Sequence, residues 1–389
     1  RYPTWEKHTY YFLGDSQLAE KLQLKTRIFH DEYYNVLDGY NADFNIVNMH
    51  SIYDDHSDGA SLVLRSQHFT KNTLSASFYY KKDIHTEKDG EPNLWEYYEA
   101  DNFSYGLEDD IKFSDVFSGV IGASYDIQEP KYANGNLVRG DETYFNPQAG
   151  INWNIKKDTR FHMGVAKKTR FPTLFELYSG QFGRNVQNLN LATEKAVNYE
   201  TGIEQSLPGD TLIGINFFRS DVEDLIVRVN MPTPPHPANS TQYQNIGEAT
   251  YQGIEFNFKT GYLKNNTFEM NYTYLDAKDE SPNRISDHLP DCAQNKINVT
   301  DLYKLNDTFS FFGKLQFNSG RWWLNGSGAN AKWYPLDGFW TADTKLIVTL
   351  APEAVLELGV KNMFDEDYST TYGYPQQGRT YFIGFKGSF

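Results

Sequence analysis

The chain has 389 residues, a formal net charge of −15 and a mean hydropathy of −0.63, yet Phe, Trp and Tyr make up 16% of it. So polar an average suits a soluble or a disordered chain, but disordered chains are poor in aromatics, and no run approaches the roughly 18 consecutive apolar residues of a membrane helix. The acidic balance argues against general nucleic-acid binding, which needs clustered Lys and Arg to meet phosphates.

Taken in chain order, the elements show a period of two, the signature of strands. Leu22, Leu24 and Ile28 alternate with Lys21, Gln23, Lys25 and Arg27. Ile151, Trp153 and Ile155 alternate with Gln148, Asn152, Asn154 and Lys156; Ile254, Phe256 and Phe258 with Glu255, Asn257 and Lys259. Phe268, Met270, Tyr272 and Tyr274 oppose Thr267, Glu269, Asn271 and Thr273, and Phe309, Phe311, Leu315 and Phe317 oppose Ser310, Lys314, Gln316 and Asn318. The last strand carries Tyr381, Ile383, Phe385 and Phe389 on one face. No stretch keeps a helical period, so the chain reads as all-β.

The connections alternate as well. Turn residues occur at Gly14-Asp15-Ser16, Lys156-Lys157-Asp158, Pro208-Gly209-Asp210, Asn306-Asp307 and Ala351-Pro352-Glu353. Between them lie long polar segments, expected as loops, at Asn35–Asp58, Glu87–Asn93, Ile127–Glu142, Arg170–Lys195, Asn230–Thr241, Lys278–Asp291, Gly320–Asp337 and Asp365–Gly378. Short turns at one end and long loops at the other describe a transmembrane antiparallel β-barrel. A wet lumen also accommodates Lys21, Lys25, Arg27, Lys81, Lys259 and Lys314 on inward faces, with Glu200, Glu204, Glu255 and Glu269 among the acids, whereas a soluble sandwich rarely carries such charges on an inner face. The alternation counts to about seventeen strands of roughly ten residues or more, whereas bacterial barrels normally have an even number. The expectation is therefore that N-terminal strands are missing and that residues 1–389 are the C-terminal portion of a larger barrel.

Particular residues add a resemblance. Phe171-Pro172-Thr173-Leu174-Phe175-Glu176-Leu177-Tyr178, then Asn188-Leu189-Asn190-Leu191, Glu194-Lys195 and Asn198-Tyr199-Glu200-Thr201-Gly202-Ile203-Glu204, resemble the central barrel signature of TonB-dependent outer-membrane receptors. Gly253-Ile254-Glu255-Phe256 resembles their next recurring strand. Val360-Lys361-Asn362-Met363-Phe364-Asp365, Asp367-Tyr368, Gly373-Tyr374-Pro375 and Gly378-Arg379-Thr380-Tyr381-Phe382 are similar to the family's C-terminal end. The chain departs from the family at Thr193-Glu194, where proline usually precedes the glutamate, and nothing in it looks like the plug domain or the segment that engages TonB. The resemblance implies a plugged 22-stranded barrel in the bacterial outer membrane, of which this chain would lack the plug and the first strands. It implies uptake of a scarce nutrient, a ferric siderophore first and cobalamin or another metal chelate next, driven by the TonB–ExbB–ExbD system acting through the missing N-terminal region. A passive porin-like channel is also consistent with the barrel pattern.

Individual motifs carry both functional and structural readings. Phe171–Tyr178 contacts ligand or anchors a loop through Phe171, Leu174, Leu177 and Glu176. Arg321, Trp322, Trp323, Trp333 and Tyr334 hold an aromatic or anionic ligand by stacking and cation–π contact, or belong to the aromatic girdle of the barrel. The candidate ligand contacts are Arg321, Trp333, Tyr334, Tyr178 and Arg184. Asp54, Asp55 and Asp58, beside His56, offer oxygen ligands for calcium in an extracellular loop, though without the glycine and distal glutamate of an EF-hand. Asp365-Glu366-Asp367 reads as a solvated turn or a divalent-ion site, Cys292 as an inert loop thiol or a reactive or metal-bound one, and Met231–Pro237 as a stiff proline-rich connection or a ligand gate. Gly326-Ser327-Gly328-Ala329-Asn330-Ala331 matches a dinucleotide pattern, which has meaning only between a strand and a helix. Phe389 closes the aromatic pattern of the final strand and, by the resemblance, serves as the assembly signal. No catalytic constellation can be assigned, no resident cofactor is expected, and the expected partners are a metal chelate, TonB and outer-membrane lipid, not nucleic acid.

Overall fold

A computed structural model of the chain describes residues 1–90, 92–180, 184–231, 235–236, 240–245, 247–282, 284, 286–325 and 332–387. The strands are β1 (Thr4–Ala19), β2 (Leu22–Tyr40), β3 (Val47–Ser66), β4 (Asn72–Lys88), β5 (Glu96–Lys112), β6 (Phe117–Ala133), β7 (Glu142–Lys156) and β8 (Thr159–Arg170). After the single-turn helix α1 (Leu174–Tyr178) come β9 (Asn185–Val186), β10 (Glu194–Leu207), β11 (Thr211–Glu223), β12 (Ile226–Asn230), β13 (Thr241–Asn245) and β14 (Glu248–Thr260). Then follow β15 (Asn266–Asp279), β16 (Asn295–Lys304), β17 (Phe309–Asn318), β18 (Arg321–Asn325), β19 (Lys332–Leu336), β20 (Phe339–Ala351), β21 (Ala354–Lys361) and β22 (Thr380–Gly387). Seventeen of these strands belong to one large sheet; β9, β12 and β13 form a small second sheet, and β18 pairs only with β19.

The chain divides into two compact units. The first comprises residues 1–151, 165–197 and 222–248. Its strands β1 to β6 pair antiparallel in sequence order, and the register explains the polar average of the composition. One cross-strand row reads Phe12, Ile28, Ala60, Tyr80, Phe103, Ile127, wholly apolar apart from a tyrosine hydroxyl. One step along the same face, toward the long loops, the row becomes Tyr10, His30, Asp58, Lys82, Asp101, Glu129. The opposite face is polar beside the apolar row: Arg27, Ser61, Tyr79, Ser104 and Asp126 share one register line. A face that changes from apolar to charged within one pair of residues marks the end of a lipid-facing band. Residues beyond Lys82 on β4 therefore lie outside the membrane.

The second unit comprises residues 152–164, 198–221 and 249–389. There the apolar face carries Phe258, Met270, Val299, Leu315 and Ala342 in one line, and the other face Lys259, Glu269, Thr300, Lys314 and Asp343. Phe309, Val348, Leu356 and Phe385 continue the apolar surface into the last strands.

Most of the sequence-predicted turns occur where expected, and at the tight one following β10 Gly209 and Asp210 both take positive φ. Three expectations are corrected. Gly14-Asp15-Ser16 lies inside β1, and the turn falls at Glu20-Lys21, which removes Lys21 from the strand. Asn35–Asp58 is largely strand and Ile127–Glu142 begins as strand, because β2 and β3 run on as a polar hairpin joined by residues 41–46, and β6 extends to Ala133. Both faces of these segments become polar beyond the lipid band, which erases the alternation. Finally, Phe171–Tyr178 holds a helical turn, too short to show a period.

Candidate functional site

Two groups of side chains stand at the long-loop ends of the strands, one in each unit. In the first unit α1 starts with a capping box: Thr173 Oγ1 accepts from the Glu176 N–H at 3.2 Å, and Glu176 Oε2 accepts from the Thr173 N–H at 2.8 Å. Arg170 joins the cap to β10, donating from Nη1 to Glu176 Oε2 at 2.9 Å and from Nη2 to Glu194 Oε1 at 2.8 Å. The helix buries Leu174, Leu177 and Tyr178 against Tyr98, Ala100, Ala133, Leu191 and Ile226. The rings of Tyr178 and Tyr98 stack at 5.2 Å, 7° from parallel.

Behind Tyr98 sits a charged pair that the sequence reading missed. His85 Nδ1 is 2.7 Å from Asp55 Oδ1, and its Nε2 is 3.4 Å from Glu87 Oε2. Glu87, 2% exposed, also accepts from Ser179 Oγ at 2.6 Å and from the Gly180 N–H at 2.8 Å. Burial opposes charge on His85, but the hydrogen bonds to Asp55 and Glu87 outweigh it and raise the imidazole pKa to about 9. Burial likewise opposes the Glu87 carboxylate, yet the hydrogen bonds from His85 and Ser179 hold its pKa below the usual carboxylate range. The only sequence signal was parity: Asp55, His85 and Glu87 are all odd-numbered, on the same face as Lys81.

Glu87 also lines an open cavity of about 1020 Å³ with Met49, His50, Asp89, Trp95 and Glu96. His50 Nδ1 is 2.6 Å from Asp38 Oδ1, which orients its ring. A volume near 1000 Å³ is at the upper end of ordinary ligand pockets.

The calcium candidates do not converge. Asp54 and Asp58 lie on the charged outer face of β3, Asp58 2.8 Å from His30 Nδ1, while Asp55 faces the other way toward His85. Among the described residues no group of three or more His, Cys, Asp or Glu side chains is arranged to hold a metal ion. Tyr178 is fully buried and Arg184 is exposed. The expectation that Tyr178 contacts ligand is therefore corrected: its ring is taken up by Tyr98 and it presents no surface.

In the second unit the expected polar loop around Trp322 and Trp333 is in fact a β-hairpin, β18–β19, in which Trp323 pairs with Tyr334. Their rings stack at 5.0 Å, and Tyr372 stacks on Trp323 at 3.7 Å. On the other face His288 stacks on Trp322 at 4.6 Å and meets Trp333 edge-on at 5.5 Å. Trp322 and Tyr334 remain exposed. Arg321 is buried, with Nη2 donating to the Ser369 carbonyl and its guanidinium 5.4 Å from the Phe339 ring centre. Burial lowers its pKa, and Nε has no partner among the described residues. Arg321 thus braces the hairpin from beneath. Beside it, burial raises the Cys292 thiol, as suits an inert cysteine. Asp365 forms the turn expected of it, its Oδ1 accepting from the Arg379 N–H at 2.6 Å. The dinucleotide-like stretch, most of the proline-rich loop and Phe389 lie outside the described residues.

A sequence model of the TonB-dependent receptor-like β-barrel matches residues 2–363. The chain belongs to the TonB-dependent receptor family. Its strands thus form part of an outer-membrane β-barrel, in a family of transport receptors. The chain is 24% identical over 271 residues to an iron-regulated outer membrane virulence protein of Vibrio cholerae, a match covering 66% of this chain and 41% of that protein. In structure it resembles the copper transporter OprC (TM-score 0.82, 15% identity, 100% of this chain and 66% of that one). It also resembles the ferric-catecholate import receptor Fiu of E. coli K12 (0.74, 15%, 98% and 64%) and the siderophore receptor PirA of Acinetobacter baumannii (0.73, 16%, 98% and 62%). The receptor chain spans about two-fifths of the length of the curated relatives it matches.

Proposed function

We propose that the receptor takes up a metal chelate, a ferric siderophore before cobalamin or another chelate, across the outer membrane under the drive of TonB. The observation that carries this reading is the cavity of about 1020 Å³ at the long-loop end, its polar wall built on a buried, hydrogen-bonded pair rather than on mobile surface charge. Pre-organised polar groups in a roomy cleft suit selective capture of a polar ligand. The iron-regulated Vibrio relative, the ferric-catecholate import receptor Fiu and the siderophore receptor PirA support iron as the metal. The stacked aromatics of β18–β19 offer exposed faces for a planar or aromatic chelator.

The test is growth of a strain lacking the receptor, complemented or not, with ferric siderophores, cobalamin or copper chelates as the sole limiting source. Rescue by a ferric siderophore is the expected result, and rescue by another chelate alone would reassign the cargo. Small conductance of the intact receptor in a planar bilayer is expected; a large steady conductance would favour a porin-like channel and overturn active uptake.

A further inference from the structure

The cavity beside Glu87, where cargo is held on the uptake reading, has a wall of one sign. Glu87, Asp89 and Glu96 line it, and among the described residues no lysine or arginine does. Lys88 follows Glu87 in β4 but alternates to the other face and is not part of the lining. His50 lies 2.6 Å from Asp38 Oδ1, so a proton on its ring only neutralises that carboxylate. His85 carries its proton at neutral pH, yet it stands between Asp55 and Glu87, and one imidazolium between two carboxylates leaves one negative charge. These charges are not free to turn away. Glu87 is held by Ser179 Oγ and the Gly180 N–H at 2.6 and 2.8 Å, and Glu96 Oε2 accepts from the Tyr98 hydroxyl at 2.6 Å. Like charge fixed against a ligand is how a site excludes a wrong one. The wall also favours a cation directly: Trp95 lines it with an exposed indole, the best of the aromatic faces for an ammonium group.

Resting on the uptake reading, we propose that this cavity takes ferric chelates bearing a protonated amine and rejects anionic ones. Three hydroxamates neutralise ferric iron, so a trihydroxamate with a free ammonium is a cation, whereas three catecholates leave a trianion. Asp89, Glu96 and Trp95 receive the ammonium; the trianion meets the same carboxylates and no cation.

Titration calorimetry of the full-length receptor in detergent, with ferric chelates of graded charge, tests this. An ammonium-bearing ferric trihydroxamate is expected to bind, its N-acetylated and thus neutral form roughly tenfold more weakly, and a ferric tris-catecholate not measurably. Added salt should weaken binding of the first and barely affect the neutral form, because only the first gains from charge attraction. The double variant Asp89→Asn, Glu96→Gln, shown folded by heat-modifiable gel migration, should bring the ratio between the ammonium and acetylated forms from about ten toward one. A tris-catecholate bound as tightly as the ammonium chelate, or a ratio unmoved in the folded double variant, would overturn the proposal. Failure of all three ferric chelates to bind would instead overturn the ferric-siderophore reading, and the proposal with it.

Discussion

The two loop-end groups solve opposite problems with similar residue types. In the first unit the aromatic rings of Tyr98 and Tyr178 are buried and His85 and Glu87 behind them are hydrogen-bonded; in the second the rings of Trp322, Trp323 and Tyr334 stack near the surface above a buried arginine whose Nε has no partner among the described residues. The difference lies in what the aromatics cover. Over a closed hydrogen-bonded network they act as a cover that fixes the helical turn Leu174–Tyr178, whereas on a two-stranded hairpin, which is marginally stable alone, they both hold the hairpin and leave faces free. The first group is thus chiefly an anchor for the cavity beside it, and the second leaves aromatic surface exposed.

The largest effect that would break this contrast comes from Glu87→Ala. Removing one partner of a buried charged pair costs about 3–5 kcal/mol, and hydrogen exchange across residues 174–191 should rise sharply. Leu177→Ala should cost about 3 kcal/mol through the cavity it leaves, read in the same exchange experiment with the hairpin 321–336 unaffected. The pH dependence sharpens the contrast. The His85 pKa lies above its ordinary value, so its contribution is complete below about pH 6.5 and is lost as pH rises through about 9; that of Glu87, whose pKa is depressed, is present above its ordinary value and fades in acid. Protection of the 174–191 loop from protease should therefore fall above about pH 9, and His85→Gln should remove that transition. Trp323→Ala loses two stacking contacts worth about 1 kcal/mol each; it should weaken chelate binding in a titration while leaving the 174–191 loop protected. Smallest is Lys259→Ala: its pair with Glu269 is half exposed at 2.7 Å and screened by solvent, and the thermal unfolding midpoint should barely move.

What could be read in the sequence follows from where alternation survives. Within the lipid band one face is apolar and the other wet, so strands such as Ile254–Phe258 and Thr267–Tyr274 are legible from period two alone. Above the band that contrast vanishes, and the hairpin of β2 and β3 reads as loop. The pair His85 and Glu87 could not be found by spacing, because Asp55, Ser179 and Gly180 reach it from strands and loops far apart in the chain. The aromatics of 322–334 were visible as composition, but their division between two faces of a hairpin, with His288 and Tyr372 as partners, depends on register.

The length of β3 has a further consequence. Its 20 residues would span about 66 Å at roughly 3.3 Å per residue, and even at a tilt of about 45° they rise well past an apolar band about 25 Å tall. The cavity that Val47 to His50 help to line is therefore carried clear of the headgroups on rigid sheet. Insertions or exchanges in the connecting loops can then change the outermost surface without altering how far from the bilayer the cavity stands.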